Sequence, residues 1–513
     1  MTVTILMSLW LSNAFCLFDR FSSMQLPIKQ AYSQLPERFF HRTALTPVVR
    51  PSLIKLNRVL ASELGFDFNY LSSAHGIQIL AGNSAPESID PIALAYAGHQ
   101  FGHFVPQLGD GRALLLGEVI DGKGNRFDVQ LKGSGPTIFS RQGDGRAALG
   151  PILREYIISE AMAALGIPTT RALAAVGTGE IVIRDQPRPG AILTRIAASH
   201  IRIGTFQFFA ARGDIEAVRI LADYAIQRHY PEARDSSSPY FSFFEQVIKA
   251  QAILVSKWMA IGFIHGVMNT DNMSIAGETI DYGPCAFMDA YNPDTVFSSI
   301  DRNGRYAYSN QPSIAFWNLA RFGETLLPLL SNDETSAVKL AKDALNTFSP
   351  IYEAEFMKAM SRKIGLTTHQ SGDDSIIQDL LTIMAKCAAD FTSTFRTLAY
   401  AASDTNSINV LKALDKNKTS FYPWLAKWKE RLLKDPQNDR QRHASMLNAN
   451  PLYIPRNHKV EEVIDAAVNH QDFGPFEDLN IVLANPFTEQ PDRFHYAEPP
   501  GPNSRIYQTY CGT

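Results

Sequence analysis

One short run constrains this chain more than any other. It is His265-Gly266-Val267-Met268-Asn269-Thr270-Asp271-Asn272, followed nine residues on by Asp281-Tyr282-Gly283. Upstream, Phe244, Val247, Ile248, Val255, Trp258 and Met259 recur at helical spacing, so an amphipathic helix delivers the run. Asn272 and Asp281 offer hard oxygen ligands. These suit Mg²⁺, which keeps waters and substrate phosphates in its shell. Asp271 is the best candidate for a base, because a carboxylate takes the proton of an incoming hydroxyl. His265 reads as a structural, hydrogen-bonded residue.

The spacing of His265 and Asn272 resembles the protein-kinase catalytic loop, and Asp281-Tyr282-Gly283 resembles the kinase Asp-Phe-Gly triplet. One position departs. Val267 stands where a kinase carries its catalytic Asp, and an Asp reappears at 271. The metal-binding parts are kept and the usual base is not. A nucleotide site doing chemistry other than ordinary phosphoryl transfer is expected.

The rest of the chain is read around that loop. Ala113 to Val119 is an apolar run and reads as a buried strand. Asp121-Gly122-Lys123-Gly124-Asn125 is a turn signal. Phe127, Val129 and Leu131 then face one way, and Asp128, Gln130 and Lys132 the other. The spacing predicts a helix over about 52–64 and another over about 147–165, ended by Gly166 and Pro168. Glu180–Arg184 and Ala191–Ile196 predict a second hairpin. After about Thr205 the chain turns helical, and the tail carries a helix near 459–469. The fold class is α+β, a protein-kinase-like bilobal fold with a mostly helical C-terminal extension. The expected division is a lead-in over 1–75, a β-rich N-lobe over 76–205, a helical C-lobe over 206–415 and the extension over 416–513.

Composition removes other classes. With 513 residues, 45% hydrophobic and 19% charged, the chain has ample core. A net charge of −3 makes no global case for nucleic acid or an anionic membrane. Cys16, Cys285, Cys387 and Cys511 are scattered without a Cys-x-x-Cys pair, which fits a reducing, cytoplasmic setting. The first 23 residues read as an over-extended start, with an export signal as the alternative, because the apolar stretch lacks a basic flank.

Several residues could bind phosphate. Gly109-Asp110-Gly111-Arg112 recurs as Gly143-Asp144-Gly145-Arg146, one copy before the first hairpin and one before the helix. Glycines let backbone N–H groups approach phosphate oxygens, and a helix N-terminus favours anions. Lys132 resembles the kinase strand Lys, with Glu155 as its natural partner. Arg195 and Arg202 could both reach a triphosphate.

Together these residues resemble the selenoprotein O family of kinase-like protein adenylyltransferases. The likeness spans Tyr96 to Gly102, Gln107 to Arg112, Gln130 to Gly135, Ser140 to Arg146, Arg154 to Tyr156, Ile264 to Met273, Asp281 to Pro284, and Pro455 to His458. It implies binding of ATP in an orientation inverted relative to kinases. AMP, not phosphate, would pass to Ser, Thr or Tyr hydroxyls of proteins. Gly109, Gly111, Arg112, Lys132, Asp144, Gly145, Arg195, Arg202 and Asp281 would hold the nucleotide. Asn272 and Asp281 would bind Mg²⁺ or Mn²⁺, and Asp271 would be the base. Cys511 lies where some members carry selenocysteine. A monomer acting on protein substrates is expected. The alternatives are uridylyl transfer from UTP, a phosphotransferase similar to aminoglycoside kinases, and a nucleotide-binding pseudokinase scaffold.

Overall fold

The computed structural model describes residues 26–86, 89–403 and 421–510. Residues 1–23 and Cys511, for which expectations were stated, lie outside them.

The strands are concentrated in the first 200 residues. They are β1 (Phe40–Arg42), β2 (Ser52–Leu56), β3 (Ile92–Leu94), β4 (Gly98–Gln100), β5 (His103–Val105), β6 (Ala113–Ile120), β7 (Arg126–Lys132), β8 (Ala147–Ala148), β9 (Arg171–Ile183) and β10 (Pro187–Ala197). An antiparallel sheet runs in the order β1-β3-β6-β7-β10-β9-β2, with β8 also on β10. The β6–β7 turn is closed by Asp121, whose Oδ1 accepts from Lys123 N and Asn125 N, both at 2.8 Å. β4 and β5 form a separate hairpin.

The alternation in β7 holds, with one difference. Val129 and Leu131 enter an apolar core with Leu116, Val119 and Ile192. The opposite face is not solvated: Asp128, Gln130 and Lys132 are buried too. Helices and the segment around Asp281 cover that face, so its polar groups pair with protein instead of water.

The expected helix over 52–64 is corrected. Ser52–Leu56 is a strand paired with β9, and only Arg58–Glu63 is helical. Asn57 marks the switch, its side chain accepting from Leu60 N at 3.1 Å as an N-cap. Pairing with β9 overrides a helical pattern that local sequence alone favours. The second hairpin is also longer than expected, because β9 begins nine residues before Glu180, at Arg171, and β10 extends on both sides of Ala191–Ile196.

The helix Leu149–Ala164 lies against β9 and β10 through Leu153, Tyr156 and Ile157. Its other flank meets Val460 and Val463 of the helix Asn457–His470, and Leu479 and Val482 of Gly474–Leu483. From Ile203 the chain is dominated by helices. Among them, Ile203–Ala210, Pro239–Ile261 and Gln311–Leu330 share a core of Phe206, Phe243, Phe244 and Phe322. The tail returns to this body. Arg456, fully buried, donates to Asp289 Oδ1 at 2.6 Å and Asp390 Oδ2 at 2.9 Å. No helix among the described residues is long and apolar enough to cross a membrane.

Candidate active site

The helix Pro239–Ile261 stops at Gly262, whose φ of 72° is a left-handed C-cap. Two short strands then pair, β11 (Phe263–Ile264) with β12 (Ala286–Phe287), and bracket the motif loop between them. Inside the bracket, His265 is buried and its Nε2–H donates to Ile280 O at 2.9 Å. Burial pushes its pKa down, which keeps the ring neutral. This is the structural role expected of it. Val267 lines the cleft and supplies a backbone acceptor: Asn272 Nδ2 donates to Val267 O at 3.0 Å. That bond fixes the amide and leaves Oδ1 as its acceptor.

Asp281 has a φ of 64°, uncommon for a residue with a side chain. The conformation presents its carboxylate to three cations. Oδ1 receives Lys132 Nζ at 2.9 Å and Arg195 NH1 at 2.7 Å, and Arg202 NH2 lies 3.6 Å from Oδ2. Burial would raise this carboxyl. The three charges outweigh burial and hold it well below the usual carboxylate range. Glu155 closes the cluster from the helix Leu149–Ala164, 2.6 Å from Lys132 and 3.3 Å from Arg195. The strand Lys and the helix Glu named from sequence therefore do meet. Gln130 Oε1 takes Arg195 Nε at 3.1 Å, and Arg202 lies 4.3 Å above the Tyr96 ring.

The two Gly-Asp-Gly-Arg copies are not equivalent. Asp110 is buried, accepting from Leu94 N at 3.2 Å and Gln130 Nε2 at 3.1 Å. Asp144 is half-exposed and holds Arg184 in a fork, both bonds 2.9 Å. Arg112 and Arg146 both line the cleft, but Arg146 also commits its guanidinium to Thr46 O at 3.1 Å and Ser134 O at 2.8 Å. Glycine is required in both copies. A Cβ on Gly109 would fall 2.3 Å from the Phe139 ring, and one on Gly145 2.1 Å from Gly135 C.

Asp271 is buried beside the β4–β5 hairpin. Gln100 Nε2 donates to its Oδ2 at 3.3 Å, and Oδ1 has no hydrogen-bond partner. Burial is the main reason its pKa rises to about 6. The hairpin grips the motif loop at two further points: His99 N donates to Thr270 Oγ1 at 2.7 Å, and Phe101 N to Asn269 Oδ1 at 3.1 Å.

All eleven residues named from sequence line one cleft of about 790 Å³: Gly109, Gly111, Arg112, Lys132, Asp144, Gly145, Arg195, Arg202, Asp271, Asn272 and Asp281. Tyr96, Gln100, Asp110 and Arg184 line it as well and had been given no role. Their sequence signals were membership of the matched segments, for Asp110 also its place in the repeated Gly-Asp-Gly-Arg run, and for Arg184 a place at the end of a predicted strand.

Comparison with known proteins places the chain. The family model described as Protein adenylyltransferase SelO matches residues 22–484. A protein nucleotidyltransferase YdiU of Rhodopseudomonas palustris (strain BisB5) is 59% identical over 491 residues, covering 96% of this chain and 100% of the relative. The one from Bradyrhizobium sp. (strain ORS 278) is 57% identical with the same coverage. That of Methylorubrum populi is 58% identical over 493 residues, covering 95% of this chain and 99% of its own. A match of this extent, over the whole cleft just described, means that the chain belongs to the SelO family of nucleotidyltransferases.

Proposed function

We propose that this protein transfers AMP from ATP to hydroxyl side chains of other proteins. One observation carries the reading: Asp271, a carboxylate with no ion pair among the described residues, and Asp281, a cation-held carboxylate, line the same cleft, while Val267 leaves the kinase base position empty of charge. The fold is read as kinase-like and bilobal, with the N-lobe over 76–205, the helical C-lobe over 206–415 and a C-terminal extension after them. The contacts of Lys132 and Arg195 with Asp281 would then tie one lobe to the other.

Lys132, Arg195 and Arg202 would bind the triphosphate, together with Arg112 and the backbone of Gly109, Gly111 and Gly145. Asp144 would orient Arg184 toward the same ligand. The donor set fits a hard divalent cation: Asn272 Oδ1 is left free by its amide bond, and Asp281 Oδ2 has only a distant guanidinium. Two protein oxygens suffice where phosphates and waters complete the shell. Bound Mg²⁺ or Mn²⁺ would neutralise charge developing on the phosphates.

The Asp271 carboxylate, which lines the cleft, would accept the proton of a Ser, Thr or Tyr hydroxyl. The hydroxyl oxygen then bonds to the α-phosphorus, the bond to the β-phosphate oxygen breaks, and pyrophosphate leaves. The cationic cluster faces the charge that grows on the leaving group, where fixed donors are worth most.

The test uses ATP labelled at the α or the γ phosphate, with protein and Mg²⁺ or Mn²⁺. Protein labelled from α-ATP alone is the expected result. Label from γ-ATP alone would make this a phosphotransferase and overturn the reading.

A further inference from the structure

The β4–β5 hairpin has an inner and an outer side. The inner side grips Asp271 and Asn269. The outer side leaves His103 and Phe104 exposed, Phe104 by 40%. Beside it stands a platform from the segment before the helix Gln311–Leu330 and from that helix. Arg305 Cζ lies 4.8 Å from the Trp317 ring centre and 5.8 Å from that of Tyr306. Arg321 flanks Trp317 at 5.2 Å. His99 joins the two parts, 5.2 Å from Trp317 and 5.0 Å from Phe104.

The charges on this platform do not balance. Arg321 is paired with Glu324 at 2.6 Å. Arg305 has no carboxylate within 4.0 Å of its guanidinium among the described residues. The nearby acid, Asp301, is spent on backbone: it accepts from Arg305 N at 2.9 Å and Tyr306 N at 2.8 Å. Those bonds fix the base of the Arg305 side chain, and two aromatic faces confine its head. Tyr306 is held in turn, its OH donating to Asn269 Oδ1 at 2.6 Å. A cation so fixed loses little freedom on binding an anion, and a guanidinium suits a carboxylate fork. The positive field reaches His99, whose pKa is lowered by burial and further by Arg321 and Arg305.

On the reading of the cleft as a protein-modifying site, we infer that this platform docks the substrate polypeptide through an acidic side chain near its acceptor hydroxyl. Arg305 takes the carboxylate. Trp317 and Phe104 cover the adjoining apolar stem. The chain of contacts from Arg305 through Tyr306 and Asn269 to the hairpin then sets the hydroxyl against Asp271.

The test is peptide binding by fluorescence anisotropy, with full-length protein saturated with a non-hydrolysable ATP analogue and Mg²⁺. The probes are short tyrosine or serine peptides flanked by Glu, Gln or Lys. The Glu peptide is expected to bind about tenfold or more tighter than the Gln peptide, the scale of a charge-assisted bond. Arg305→Gln should erase that difference, and Arg305→Glu should turn the preference to the Lys peptide. Trp317→Ala should weaken all three peptides. Nucleotide affinity should stay unchanged throughout. Equal binding of Glu and Gln peptides to the native protein would overturn the inference. So would an acidic preference that survives Arg305→Glu, or a loss of nucleotide affinity that places Arg305 on the phosphates. Because binding is read without turnover, these outcomes are independent of the labelled-ATP result, which tests the chemistry alone.

Discussion

A Cβ built on Gly98 would lie 2.5 Å from Oδ1 of Asp271, closer than real side-chain contacts allow. The backbone of β4 is therefore the wall against which the proposed base is set. Gly98→Ala would have to push either the hairpin or the carboxylate aside. A displacement of about 1 Å at a reacting group costs on the order of a hundredfold in rate. The expected outcome is a loss of that size in nucleotidyl transfer with nucleotide affinity unchanged by calorimetry. Unchanged turnover would show that Asp271 does not depend on its wall.

Asp271→Asn keeps the shape and the Gln100 contact and removes the proton acceptor. General-base contributions run to about 10²–10⁴-fold. The variant should bind ATP as the native protein does and lose transfer within that range, measured as label from α-ATP. A fully active variant would remove Asp271 from the base role.

Much of this cleft was legible because its motifs are local. His265, Asn272 and Asp281 are recognised by spacing. Lys132 and Glu155 follow from a strand face and a helix one loop away, and their 2.6 Å contact agrees. What was not legible joins distant segments. Gln100 meets Asp271 across 171 residues, and no periodicity in either segment encodes the meeting. Arg184 reads as a strand-end charge until the hairpin lays it against Asp144. Ser52–Leu56 has a helix-compatible sequence and becomes a strand only because β9 supplies an edge to pair with.

Asp281 already has Lys132, Arg195 and Arg202 as countercharges, so the fold should not need a metal to neutralise it. Chelation before ATP is added should abolish label transfer while the melting temperature holds. A fall in melting temperature on chelation would mean that the cation is structural. Asp281→Ala should behave differently, because it leaves Lys132 and Arg195 sharing Glu155, and Arg202 with only Asp110 at 3.9 Å. Breaking a buried charge pair costs about 3–5 kcal/mol, so this variant should lose thermal stability as well as metal–nucleotide binding. Full turnover in Asp281→Ala would contradict the site assignment.

His200 supplies a pH dependence separate from catalysis. It is fully buried, with its backbone N–H 2.9 Å and Nδ1 3.2 Å from Asp128 Oδ2, and Nε2 has no partner. Burial lowers its pKa to about 4; Asp128 opposes this, while Arg195 and Arg202 add to it. The unfolded chain titrates this ring near 6.5. Between those values the unfolded state binds the proton and the folded state does not, so stability is full above pH 6.5 and falls toward pH 4. The whole shift corresponds to on the order of 3 kcal/mol. Asp128, held at about 2 by Arg228 and His200 against its own burial, adds a loss only in stronger acid. His200→Asn keeps a donor for Asp128 and cannot take up the proton. Its denaturant-unfolding free energy should therefore decline less between pH 6.5 and 4 than that of the native protein. The decline should be reduced, not abolished, because His229 is also depressed, to about 3. Parallel declines in the two proteins would show that His200 is not a source of the acid sensitivity.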